Sequence, residues 1–266
     1  MKKAVEYINN IDNTQYKYAI ILGSGWNNVT ESMDVKHTIE YKDIPGFLEC
    51  TVAGHSGKML LGQISGKDVI LLVGRFHIYE GYTAQQVTTP ITLLHHLGVE
   101  TLIVTNASGG INKRYKPGDI MIITDHINNT YQNALIGVQA TEDYPIFIDM
   151  STVYDKSYIT TTAKICKELN IRAHKGTFMQ TIGPVYETPA EVKAYRKWGA
   201  DAVSMSTVPE TTLAHYYKMR VLGLSFIANQ ATGLSKSKLT HQEVLQNANI
   251  NKQKLSKLLE NIIKEI

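Results

Sequence analysis

Cysteine is scarce: Cys50 and Cys166 are the two in 266 residues, and neither belongs to a CxxC pair. A disulfide framework and a zinc site are both argued against, and a reducing, cytoplasmic setting is expected. No run of 18 apolar residues occurs, and Met1 to Asn10 carries two lysines without a continuous apolar core. A membrane span and a secretory leader are therefore not expected. Charge of one sign is also lacking: 27 basic against 24 acidic residues leave +3, with no basic block. That field is too weak to imply a nucleic-acid partner. No repeat, low-complexity tract or Pro/Gly/Ser linker divides the chain, which predicts a single domain over 1–266. With 43% apolar and 19% charged residues, the chain has material for a full core.

Short β-branched or apolar runs read as strands at Tyr18 to Leu22, Met59 to Ile64, Val69 to Val73, Thr101 to Thr105, Ile120 to Thr124, Gly176 to Gln180, Ala202 to Met205 and Val221 to Ile227. Helical spacing fills Thr83 to His96, Thr152 to Leu169, Pro189 to Trp198, Val208 to Lys218 and His241 to Ile266. The alternation predicts an α/β fold, a central sheet covered by helices. The second and third strands lie too close for a parallel crossover of about a dozen residues, so the sheet is expected to be mixed. Thr188-Pro-Ala-Glu191, Thr207-Val-Pro-Glu210 and Thr240-His-Gln-Glu243 each fit a capping box, a helix start that could help hold an anion.

Four segments carry chemistry-bearing side chains. Gly23-Ser-Gly25 closes the first strand, either as a phosphate-cradling turn or as a plain strand end. Gly74-Arg75-Phe-His77-Ile-Tyr79-Glu-Gly81-Tyr82 follows the third; Arg75 suits bidentate phosphate recognition, while the alternative is a solvated loop. Val104-Thr-Asn-Ala-Ser-Gly-Gly110 puts small residues after a strand, where a ligand or a tight turn brings the backbone close. In Gly183-Pro-Val-Tyr-Glu-Thr188, Tyr186 could cover a flat base while Glu187 accepts ring N–H groups, or Glu187 only favours a helix dipole. His95 and His96 are adjacent and cannot share one helix face, so they form no metal pair.

Taken in order, GSG, GHSG, GRFHIYEGY, VTNASGG, GPVYETPAE, DAVSMSTVPE, Ile227-Ala-Asn229 and Leu239-Thr-His241 resemble the purine nucleoside phosphorylases of the trimeric class, from about Ala19 to Leu245. The resemblance implies a phosphate site of Ser24, Arg75, His77, Ser206 and the Ala107 N–H, with His55 on a loop above it. It implies ribose contacts from Tyr79, Met205 and His241, and a base pocket of Tyr186, Glu187 and Asn229. Phe147 matches an aromatic lent to a neighbouring subunit's ribose site, which implies a homotrimer with active sites at subunit interfaces. Asn229, Glu187 and His77 are the expected catalytic group. The chain departs from the family with Trp26-Asn27-Asn28 where Leu-Gly is usual, Ala228 for Thr or Ser, Ser204 for Gly, and Ile148-Asp149 after Phe147.

The implied reaction is phosphorolysis of a purine nucleoside to free base and ribose 1-phosphate. Phosphate is the nucleophile and co-substrate; no cofactor and no metal are required. Asn229 would bind the charge that builds on the departing purine better than it binds the substrate. Glu187 accepts the N1–H of hypoxanthine or guanine, which adenine lacks, so inosine and guanosine, with their deoxy forms, are expected over adenosine. The alternatives are a methylthioadenosine phosphorylase and a catalytically silent nucleoside-binding protein. A dinucleotide-dependent oxidoreductase would need a third glycine after Gly23-Ser-Gly25.

Overall fold

The structure is a computed structural model, and it describes residues 1–51, 56–234, 246, 247 and 249–266. Among the described residues, nine strands form one mixed sheet: β1 Tyr18–Leu22, β2 Asp34–Glu40, β3 Lys58–Ile64, β4 Lys67–Val73, β5 Thr101–Gly110, β6 Ile120–Asn128, β7 Ala173–Gln180, β8 Ala202–Ser204 and β9 Arg220–Gln230. Their order is β2-β3-β4-β1-β5-β8-β7-β6-β9, and β9 returns to pair with β5. The last five strands therefore close on themselves, and the first four extend from β5 as a wing. As the short spacing predicts, β3 and β4 are an antiparallel hairpin, while β1 runs parallel to β4 and β5.

The described helices are α1 Lys2–Ile11, α2 Ala84–Val87, α3 Thr89–His96, α4 Lys156–Glu168, α5 Pro189–Lys197, α6 Val208–Tyr216 and α7 Lys252–Glu265. The helix expected over Thr83 to His96 is two, broken at Thr88, because Pro90 in the first turn of α3 brings no N–H to continue the ladder from α2; Thr83 caps α2, accepting from the Gln86 N–H. α4 starts later than expected, at Lys156, since Asp155 accepts from the N–H groups of Ser157 and Tyr158 and so sets the N-terminus. α7 buries Leu255, Leu258, Leu259, Ile262 and Ile263. Each such side chain contributes about 1.5–3 kcal/mol of apolar burial. No described helix is long and apolar enough to cross a membrane.

The strand that positions the site is β5. Its first part pairs with β1 as far as Ile21↔Val104, and its end pairs with β8 at Gly109↔Val203. Between those pairings no strand among the described residues covers that edge. The Thr101 N–H donates to the Lys17 carbonyl at the start of β1, and the two-residue pleat carries the same edge on to Thr105 and Ala107. Backbone groups of β5 thus open into a gap between β1 and β8. Sequence reasoning ended this strand at Thr105 because Asn106-Ala-Ser-Gly-Gly110 lacks β-branched residues; pairing with β9 along the whole length keeps it extended.

Candidate active site

A cleft of about 800 Å³, counted with its open mouth, lies over this gap. Ser24, Arg75, His77, Tyr79, Ala107, Tyr186, Glu187, Met205, Ser206 and Asn229 line it, joined by Asn106, Ser108, Gly109, Val203, Ser204 and Ala231. Ten residues singled out from six separate stretches of sequence therefore meet in one place. Phe147 does not: it is 91% exposed and lies beside a different groove, with Asp149, His215 and Tyr216. His55 and His241 fall outside the described residues.

One end of the cleft gathers Ser24, Arg75, His77 and Ser206. Arg75, directly after β4, is buried, donating from Nε to Glu210 Oε1 at 3.0 Å and from Nη1 to the Thr105 carbonyl at 2.6 Å. Its passage needs Gly23, where an added Cβ would sit 2.4 Å from the Thr105 carbonyl oxygen and 2.7 Å from Arg75 Nη1. Glu210 was expected in a capping box with Thr207. Instead the carboxylate turns to Arg75, because a buried guanidinium offers a stronger partner than a backbone N–H. Thr207 adopts φ 93 and makes no side-chain cap. The buried hydroxyl of Thr207 accepts from Asn106 Nδ2 at 2.9 Å, and the Asn106 carbonyl oxygen Oδ1 accepts from Ser225 Oγ at 2.6 Å. These bonds hold Ser206 at the head of α6, where the Val208 N–H donates to Gln180 Oε1.

His77 opens a 3-10 turn, Ile78–Glu80. Glu80 Oε1 accepts from the His77 N–H at 2.8 Å and engages Nδ1 at 2.9 Å, while Oε2 accepts from the N–H and hydroxyl of Thr51. Burial pushes the Glu80 carboxyl up, but hydrogen bonds from the His77 ring and from the Thr51 hydroxyl and N–H, with the His77 charge, bring it down to about 2. Burial lowers the His77 imidazole below its usual range, outweighing Glu80. Nδ1 is the ring nitrogen turned toward the Glu80 carboxylate. Tyr79 stacks on it with centroids 4.6 Å apart.

At the other end Glu187 is half-buried, its Oε1 accepting from the Thr181 hydroxyl at 3.1 Å, and desolvation raises its carboxyl above the usual range. Asn229, near the end of β9, is buried, with its Oδ1 against Gly109. Between the ends, Gly183 (φ +77) lies so close to Met205 Sδ and Tyr79 that a Cβ would meet them at 2.4 and 3.1 Å. The unusual residues have partners too: Trp26 is fully buried, and the Ser204 hydroxyl donates to the Ala107 carbonyl at 2.8 Å. Thr188 and Glu191 form the expected capping box; the Thr240 box lies outside the described residues.

A family model for the phosphorylase superfamily matches residues 17–264. The chain belongs to this superfamily. Purine nucleoside phosphorylase 1 of Bacillus subtilis is 47% identical over 230 residues, covering 86% of this chain and 85% of its own. Purine nucleoside phosphorylase of Rattus norvegicus is 36% identical, covering 100% and 94%. The crystal structure of Schistosoma mansoni purine nucleoside phosphorylase in complex with adenosine superposes with a TM-score of 0.94 at 33% identity, over 100% of this chain and 96% of that one. The superfamily expected from the order of motifs is thus the one found. Sequence reasoning missed Glu80, Asn106, Thr207 and Glu210 as parts of the site. Of these only Glu80 carried a usable signal, since an acid three residues after His77 faces back toward it in a tight turn.

Proposed function

We propose that this chain is a purine nucleoside phosphorylase that prefers 6-oxopurines, converting inosine, guanosine and their deoxy forms to free base and (deoxy)ribose 1-phosphate. The observation that carries the reading is the single cleft with Arg75, His77, Ser24, Ser206 and the edge of β5 at one end and Glu187 with Asn229 at the other. Phosphate held at the first end, with His55 as a further contact that the resemblance implies, faces the ribose C1′; as the base leaves, an oxocarbenium-like sugar forms and is captured. His77 Nε2 accepts a hydrogen bond from the P–OH of the phosphate dianion. Tyr79, Met205 and His241 hold the ribose. Tyr186 covers the purine, Glu187 accepts N1–H, and Asn229 binds N7 and O6 as they gain charge.

Phosphate is a co-substrate, and no cofactor or metal takes part. Phe147, exposed and away from its own cleft, would complete the ribose site of a neighbour in a cytoplasmic homotrimer. Purified protein supplied with inosine, adenosine or methylthioadenosine tests the assignment by base release: cleavage of inosine well above the other two is expected, with loss in Glu187→Ala and Asn229→Ala. Cleavage of methylthioadenosine alone would replace the substrate assignment, and no cleavage of any would leave a binding protein.

A further inference from the structure

The turn that carries Ser24 ends on Trp26, which grips the site twice. Its backbone N–H donates to the Gly23 carbonyl at 3.1 Å, closing the turn around Ser24. Its indole Nε1–H donates to the Asn106 carbonyl at 2.9 Å. The ring is wholly buried and is not among the residues lining the cleft. The Asn106 carbonyl is one end of the peptide group whose other end is the Ala107 N–H. In a planar trans peptide these two point in opposite directions, so a partner that fixes the carbonyl also aims the N–H. The pleat of β5 sends that N–H into the gap between β1 and β8, and a hydrogen bond at the carbonyl polarises the peptide and strengthens the donor.

We propose that Trp26 is a positioning residue for anion binding: its indole N–H adds to the β9 pairing that directs the Asn106–Ala107 peptide and polarises the Ala107 N–H, while its backbone N–H holds Ser24, so one buried residue acts on both donors without touching phosphate. Asn106 shares the task, since its side chain is held at both ends by Ser225 and Thr207. The inference rests on assigning this end of the cleft to phosphate.

Two replacements remove the indole N–H: Trp26→Phe, and Trp26 exchanged for its isostere β-(3-benzothienyl)alanine, which keeps the shape with sulfur in place of N–H. Titration calorimetry of the full chain with inorganic phosphate should show binding weakened roughly three- to ten-fold in both, as for one impaired hydrogen bond. The KM for phosphate should rise in parallel, with the KM for inosine and the Tm of the isostere unchanged. Should Trp26→Phe fail to fold, the isostere decides. Phosphate affinity unchanged in the isostere would overturn the proposal, as would equal losses for phosphate and inosine with a lowered Tm, which is the behaviour of a packing residue. A wild-type chain that binds no phosphate would overturn the functional assignment as well, whereas wild-type binding with an indifferent isostere overturns this inference alone.

Discussion

The base-reading role proposed for Glu187 predicts a substrate choice that depends on pH. Burial raises its carboxyl above the ordinary glutamate value of 4.5, so acidification protonates it earlier than an exposed glutamate. The ionised form accepts N1–H from a 6-oxopurine and sets a lone pair against N1 of adenine, a mismatch of about 1–3 kcal/mol. The protonated form donates to that same N1. The ratio of kcat/KM for inosine over adenosine should therefore fall on acidification, starting above the range in which an exposed glutamate titrates, and Glu187→Gln should hold a low ratio at every pH. A ratio independent of pH in the wild type would contradict the role. Gly23 supports a second expectation. Because backbone oxygen lies where its Cβ would go, Gly23→Ala should displace Arg75 or cost stability of about 1–3 kcal/mol, read as a raised KM for phosphate or a lowered urea midpoint.

At the level of elements, the 3-10 turn of Ile78–Glu80 joins His77 to the chain at Thr51 through one carboxylate. The Glu80 carboxyl titrates at about 2 instead of 4.5, so its stabilisation is present above the unfolded value and is lost as pH falls through the folded one. Urea unfolding should thus show Glu80→Gln to cost most near pH 7 and progressively less below about 4.5; an equal cost at pH 7 and pH 3 would remove the carboxylate from the account. The strands and helices around this turn were largely legible, since hydrophobic runs and proline positions are local signals. β2 was not, because Asp34–Glu40 is mostly exposed edge with one buried position, Ile39. α1 was passed over although Ala4 and Ile8 mark a buried stripe. Glu210 and Thr207 were misread for a different reason: the capping pattern is local, and the buried Arg75 that overrides it comes from a strand 135 residues away in sequence.

Seen as one molecule, the residues of the cleft come from both the closed ring of strands and the wing beside it, which is why no single motif could define it. The resemblance joined them before the fold did, and the gap in β5 between β1 and β8 gives that joining a physical cause. Phe147 is the part the single chain leaves outside. If the homotrimer is right, light scattering should give about three times the chain mass of 29.7 kDa. Phe147→Ala should then lower kcat/KM for inosine up to roughly ten-fold, the scale of one aromatic contact, with phosphate binding intact. A monomer with full activity would contradict both.

The most direct measurement follows inosine and inorganic phosphate together by proton and phosphorus NMR. Hypoxanthine and ribose 1-phosphate should appear in equal amounts, only when phosphate is present, with both signals abolished in Arg75→Ala. Release of hypoxanthine with free ribose, at a rate indifferent to phosphate, would contradict the account.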